Sequence, residues 1–194
     1  MFRGMPPVRN LQPGHTIVYP NREKAASKAT KAIVVFILLV SVALMLIVTV
    51  GGWSKLQGLK AVNFAWCIVY LIFAFYVGTR WARGLLPIAA AMAILLLILS
   101  LIAGFGVSGT SWFDRSHAGF APANTLFGGK GLDPDVLGVV TLLIAPVQAL
   151  LILFAMRGFA QGWNVEVEMP IEEAKRRGHR IGTPPSPPRP AAAS

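Results

Sequence analysis

Hydrophobic residues fall in four uninterrupted blocks along the chain. Ala32 to Trp53, Ala61 to Thr79, Leu86 to Val107 and Val136 to Met156 hold no Asp, Glu, Lys, Arg or His. Each is about 20 residues long, the length of an α-helix that crosses a hydrocarbon core of about 30 Å. Within the blocks the small and polar residues recur at helical steps. In the fourth, Gly138, Thr141, Ala145, Gln148, Ile152 and Ala155 share one face, and Val139, Leu142, Leu143, Leu150 and Leu153 share the other. In lipid no hydrophobic drive pulls helices together, so small and polar residues mark the packing seam. Similar seams are Asn63, Cys67, Tyr70 and Ala74 in the second block, and Ala89, Ala93, Leu96, Ser100 and Ala103 in the third.

The pattern therefore predicts an all-α integral membrane protein: a four-helix transmembrane bundle with spans about 32–53, 61–79, 86–107 and 136–156. The connectors set its order. Ser54 to Lys60 and Arg80 to Gly84 are short, so the first three helices follow one another antiparallel, giving an up-down-up-down bundle. The third connector, 108–135, is long and carries Trp112, Phe113, Phe120 and Phe127. Long connectors often serve a function, and these aromatics prefer a membrane surface or a partner to water. Ser111-x-x-Asp114 has the spacing of a capping box, with Asp in place of the usual Glu or Gln, and marks a possible short helical turn. The N-terminal segment, 1–31, is polar and broken by proline, then helical from Arg22 into the first span. The tail, 158–194, holds a short helix at about 170–177 and ends in a proline-rich, disordered segment.

In that tail helix Pro170 suits the first position, Gly178 the stop, and Glu172/Arg176 and Glu173/Arg177 are i,i+4 pairs. Neither terminal segment is long enough to bury a core of its own. Trp53, Trp81 and Trp163 lie near span ends, as interfacial aromatics do.

Composition agrees with a lipid solvent. Of 194 residues 55% are hydrophobic and 13% charged, against about 25% charged in soluble domains. The net charge of +10 is unevenly placed. Basic residues crowd the N-terminal segment, the Arg80–Gly84 link and the tail; the other side has Lys55, Lys60, Arg115 and Lys130. The positive-inside rule then puts both termini in the cytoplasm, N-in and C-in, in a cell membrane. Lys24, Lys28 and Lys31, on one helical face before the first span, suit anionic headgroups of the bilayer. The charge belongs to topology; no nucleic-acid-binding motif accompanies it. The first block is expected to remain as an anchor, because its charged leader is long and no small-x-small site follows. From Phe2 no N-myristoylation is expected, and from the final Ala-Ala-Ala-Ser no prenylation. The Arg, Ala, Gly and Pro richness of the ends suggests a bacterial source.

Candidate chemistry is sparse. Taking 1.5 Å per residue from the span midpoints, Ser41, Tyr70, Ser100 and Gln148 all lie within roughly 5 Å of the mid-plane. This places a polar packing cluster there, with Gln148 as hub bonding Tyr70 and either Ser100 or Ser41. Pro146 points away from Gln148 and frees the carbonyl of Leu142, so it acts as a helix kink. Asp133-Pro134-Asp135 reads as the cap and first turn of the fourth helix. Asp114, His117, Asp133 and Asp135 could be drawn as an outer metal site, but capping accounts for the last two. Cys67 is the sole cysteine, so a disulfide framework is excluded. The histidines lie outside the blocks, which leaves no haem ligand in a span. Gly128-Gly129-Lys130-Gly131 lacks P-loop spacing, and no nucleophile elbow is present.

With no carboxylate, amine or imidazole in any span, proton relays and ion pathways lack their usual parts. The expectation is a protein without enzymatic activity or cofactor, serving as an accessory subunit or assembly factor beside other membrane subunits. The alternative is an oligomeric transporter or channel for small-solute or lipid-like cargo that uses the midplane polar residues.

Overall fold

The computed structural model describes residues 13–56, 58–106, 111–119 and 121–179, so the proline-rich end, residues 1–12 and Phe120 lie outside the described residues. Its elements are β1 (His15–Val18), α1 (Pro20–Glu23), α2 (Ala25–Gly51), a 3-10 turn (Trp53–Lys55), α3 (Leu59–Arg80), α4 (Leu85–Gly104), α5 (Trp112–His117), α6 (Pro134–Ala160), β2 (Val167–Pro170) and α7 (Ile171–Arg176). The helices α2, α3, α4 and α6 are long and apolar enough to cross a membrane. They form one mostly helical bundle, and it is apolar on the outside. Phe36, Ile68, Phe75, Leu95, Val139 and Leu153 are all exposed, far more apolar surface than a water-facing protein tolerates.

Packing follows the small residues. Ala89, Ala90, Ala93 and Gly104 of α4 are buried, and α4 makes its most extensive contact with α6. A side chain on Gly104 would collide with Leu142, so its absence sets how closely the two backbones approach. Helix α6 also packs on α2 and α5 and is the centre of the bundle, whereas α3 leans on α2 and barely touches α4. The short link between α3 and α4 joins two helices that diverge. Its corner is Trp81, left-handed at φ 54°, whose N–H caps α3 at the carbonyl of Tyr76. The indole is held in place by Lys31 Nζ at 4.0 Å from its ring and by an edge-on contact with Trp163 at 5.3 Å.

Chain-terminal segments meet at the end of the bundle that carries Trp81. Strands β1 and β2 pair antiparallel from His15↔Pro170 to Val18↔Val167. Neither segment could bury anything alone; joined, they enclose Val18, Met169 and Ala174. Helix α7 begins at Ile171, because Pro170 closes β2. Its ion pairs are Glu173–Arg177 at 2.5 Å and Glu172–Lys175 at 3.6 Å. The first long helix starts at Ala25 after an extended break at Lys24, so the helix expected from Arg22 is interrupted there. Lys24 and Lys28 are exposed, but Lys31 turns inward and donates to the carbonyl of Gly78 at 3.0 Å. Trp163 is fully buried, 0% exposed, and so faces the bundle and not an interface.

The opposite end is built from the connector between α4 and α6. Ser111 Oγ accepts the Asp114 N–H at 3.0 Å and starts α5. Trp112, Ala123 and Leu137 pack there with Val48 and Leu56. Leu132 N–H donates to Gly51 at 3.0 Å. Asp133 occupies the N-cap position of α6 without a side-chain cap bond, ahead of Pro134.

Candidate functional site: a lateral cavity between α3 and α4

Four sequence-derived polar residues separate into a triad and one outlier. Tyr70 of α3 donates to Gln148 Oε1 at 2.9 Å. Gln148 of α6 donates from Nε2 to Ser41 Oγ at 2.9 Å. Ser41 of α2 passes its own proton to the carbonyl of Ile37 at 2.8 Å. All three are fully buried. The result is a one-way row of donors linking α3, α6 and α2, and it ends on a backbone oxygen. Such interhelical bonds average about 0.6 kcal/mol each, enough to fix register but little more. Ser100 does not join them. Its hydroxyl donates to Leu97 of its own helix at 2.8 Å, and α4 is held by its alanines.

Because α3 and α4 diverge from the Trp81 corner, a cavity of about 290 Å³ opens between them toward the α5 end. Its back wall is Met45 and Val48 of α2 with Thr141 and Ile144 of α6; its sides include Trp66 of α3 and Leu96 of α4. At the mouth stand Leu59, Val62, Leu99 and Ile102, each more than 40% exposed on the bundle's apolar exterior. The opening therefore faces sideways, toward whatever surrounds the helices. Sequence periodicity could not locate it, since only the absence of α3–α4 packing creates it.

The polar groups inside are few and mostly engaged. Asn63 Nδ2 donates to Thr49 Oγ1 at 3.1 Å, and Thr49 donates to Met45 at 2.7 Å. Thr141 donates to the carbonyl of Leu137 at 2.7 Å. The two hydroxyls that line the cavity, Thr141 and Ser100, thus give their protons to their own helices and offer it lone pairs only. The Trp66 indole N–H is buried near the Tyr70 hydroxyl without an aligned hydrogen-bond partner. Trp66 also packs edge-on against Tyr70, ring centroids 6.5 Å apart. The triad thus lies at the inner end of the cavity and is not its lining. A chamber of this kind suits an alkyl chain with at most one or two hydrogen-bonding atoms, close to the lower end of the roughly 300–1,000 Å³ range of ligand sites.

Pro146 lies inside the continuous helix α6. His117 Nδ1–H donates to Phe113 at 2.7 Å. Among the described residues no group of three or more His, Cys, Asp or Glu is arranged to hold a metal ion. No protein-family model, curated protein or solved structure matches the chain.

Proposed function

We propose that this is a multi-pass protein of the cytoplasmic membrane that takes small lipid-like molecules from the bilayer into the lateral cavity and passes them along the bundle. In this reading the helices run up, down, up and down with both termini inside, as the basic residues near the Trp81 end favour. The α5 end is then the outer one. The observation that carries the proposal is the mouth: the residues that would face acyl chains are the same ones that frame a cavity. The midplane triad does not bind cargo in this scheme. Its hydrogen bonds are already made, and it lies behind Trp66, outside the cavity's lining.

The test is transfer of a fluorescent fatty acid between leaflets of vesicles holding the purified protein. Wild type is expected to exceed protein-free vesicles severalfold, and Ala103→Phe, which fills the cavity, to abolish the excess while leaving the melting temperature within a few degrees. Flux that Ala103→Phe does not change would overturn the reading. An accessory-subunit role is favoured by a different observation, the 87% exposure of Phe127 at the tip of the outer connector. Stoichiometric foreign subunits retained in mild detergent, with no flux, would point there instead.

A further inference from the structure

The apolar cavity does not stop at its hydrocarbon walls. A second hollow of about 250 Å³ shares Leu56, Leu59, Ala103 and Trp112 with it and adds Lys55, Gly58 and Arg115. The two adjoin across these shared walls, and polarity changes from one to the other: side chains without charge at depth, two cations at the α5 end. Those cations stand out against the charge pattern of the chain, which places few basic residues at this end. From this adjacency we infer that the site takes a single-chain anionic amphiphile, its chain between α3 and α4 and its acidic head group at Arg115, with Lys55 beside it. The inference rests on the lateral-uptake reading and names its ligand class.

Arg115 is placed for this role by its neighbours. Its guanidinium lies over the Trp112 ring, 4.8 Å from the centroid, and Trp112 is itself a wall of the cavity. One donor reaches the carbonyl of Lys55 across a long 3.4 Å. A guanidinium has five N–H donors in a rigid fork that matches carboxylate and phosphate oxygens. Lys55 and Asp114 each have a further interaction, so Arg115 carries the larger share of the recognition. The side chain is partly exposed, which leaves the head group in contact with water while the tail is not. The chain count follows from size. About 290 Å³ with Trp66 at its inner end accommodates one alkyl chain and not a pair.

Binding of lysophosphatidylglycerol and lysophosphatidylcholine, each brominated on its chain, to the full-length protein in zwitterionic nanodiscs tests this. Quenching of tryptophan fluorescence, with Trp66 and Trp112 in the walls, gives the readout. The anionic lipid should bind about tenfold tighter, the margin expected of one charge-assisted contact. Arg115→Gln should erase that margin and leave lysophosphatidylcholine binding as it was, which also shows the variant to be folded. Ala103→Phe should weaken both lipids at least tenfold; if its melting point reveals misfolding, Leu99→Trp narrows the mouth instead. Equal affinity for the two head groups, with both lost on filling the cavity, would overturn the head-group seat and leave lateral uptake standing. Binding of neither lipid sensitive to either filling variant would remove both. Displacement of the anionic lipid by millimolar inorganic phosphate would assign Arg115 to a water-borne anion and overturn the amphiphile.

Discussion

The two ends of the bundle are made by different chemistry. At the Trp81 end, polar side chains join segments far apart in sequence. Arg22 Nε donates to the Trp163 carbonyl at 3.0 Å and its Nη2 to Asn164 Oδ1 at 2.9 Å. Asn21 reaches Gly162 at 3.1 Å, Gln161 reaches Thr30 at 2.9 Å, and Arg83 reaches Phe159 at 2.6 Å. His179 meets Glu23 at 2.5 Å across the ribbon. At the α5 end, among the described residues, an aromatic and aliphatic cluster is joined mainly by backbone bonds of the connector, such as Leu132 N–H to the Gly51 carbonyl and Ser54 N–H to that of Asn124. Directional bonds need their partners in place and so close an end; apolar contacts tolerate a gap. The cavity is at the end that can tolerate one.

Substitutions should separate the two ends by magnitude. Trp163→Ala removes the largest fully buried side chain from the stitched end and should cost about 3–5 kcal/mol, seen as a large drop in the detergent melting temperature. A drop no larger than that of a surface variant would mean the stitching, not the ring, holds this end. Gly131→Ala acts at the other end. Its new Cβ would press on the carbonyls of Ala123 and Gly51, an overpacking cost of about 1–3 kcal/mol, and should disturb Trp112 fluorescence more than overall helicity. Gln148→Leu breaks two interhelical bonds and should cost about 1 kcal/mol, with the fold intact by circular dichroism; Ser100→Ala, which loses only a bond to its own helix, should leave the melting temperature nearly unchanged. If the two cost the same, the triad does not tie the helices.

The smallest effect belongs to Tyr19. The hydrogen bond it donates to Glu166 at 2.9 Å, with burial and the carboxylate's charge, raises its phenol above the ordinary 10.0. A raised folded-state value favours the protonated fold, so this contribution is fully present below pH 10 and fades as pH rises through the shifted value. Tyr19→Phe should flatten that alkaline loosening of the ribbon while changing neutral-pH stability by a few tenths of a kcal/mol, as measured by amide exchange in β1 and β2.

The four long helices were legible because lipid demands unbroken apolar runs, and the seams because helical packing repeats at steps of three and four. Gln148 and Tyr70 stood on such seams and are bonded to each other. Ser100 stood on one too, but its hydroxyl finds the carbonyl of Leu97 and needs no neighbour. A seam shows which face packs and cannot show against which helix. That choice decided the site: α4 turned its alanines to α6 rather than to α3, and the cavity is what remained. The β1–β2 ribbon was hidden for another reason. Four-residue strands at opposite ends of the chain carry too little alternation to be recognised apart, though Val165-Glu166-Val167-Glu168-Met169 holds a trace of it.

Helix α3 is seated on one flank, against α2, with Tyr70 its reach to α6. Helix α6 already packs against both α2 and α4, so the bundle gains least from α3, which is expected to dock last. In that order of events Tyr70 is a latch, thrown when the final helix arrives. Hydrogen–deuterium exchange should find the amides of α3 released before those of α2, α4 and α6; equal protection in all four would show that the bundle closes in a single step.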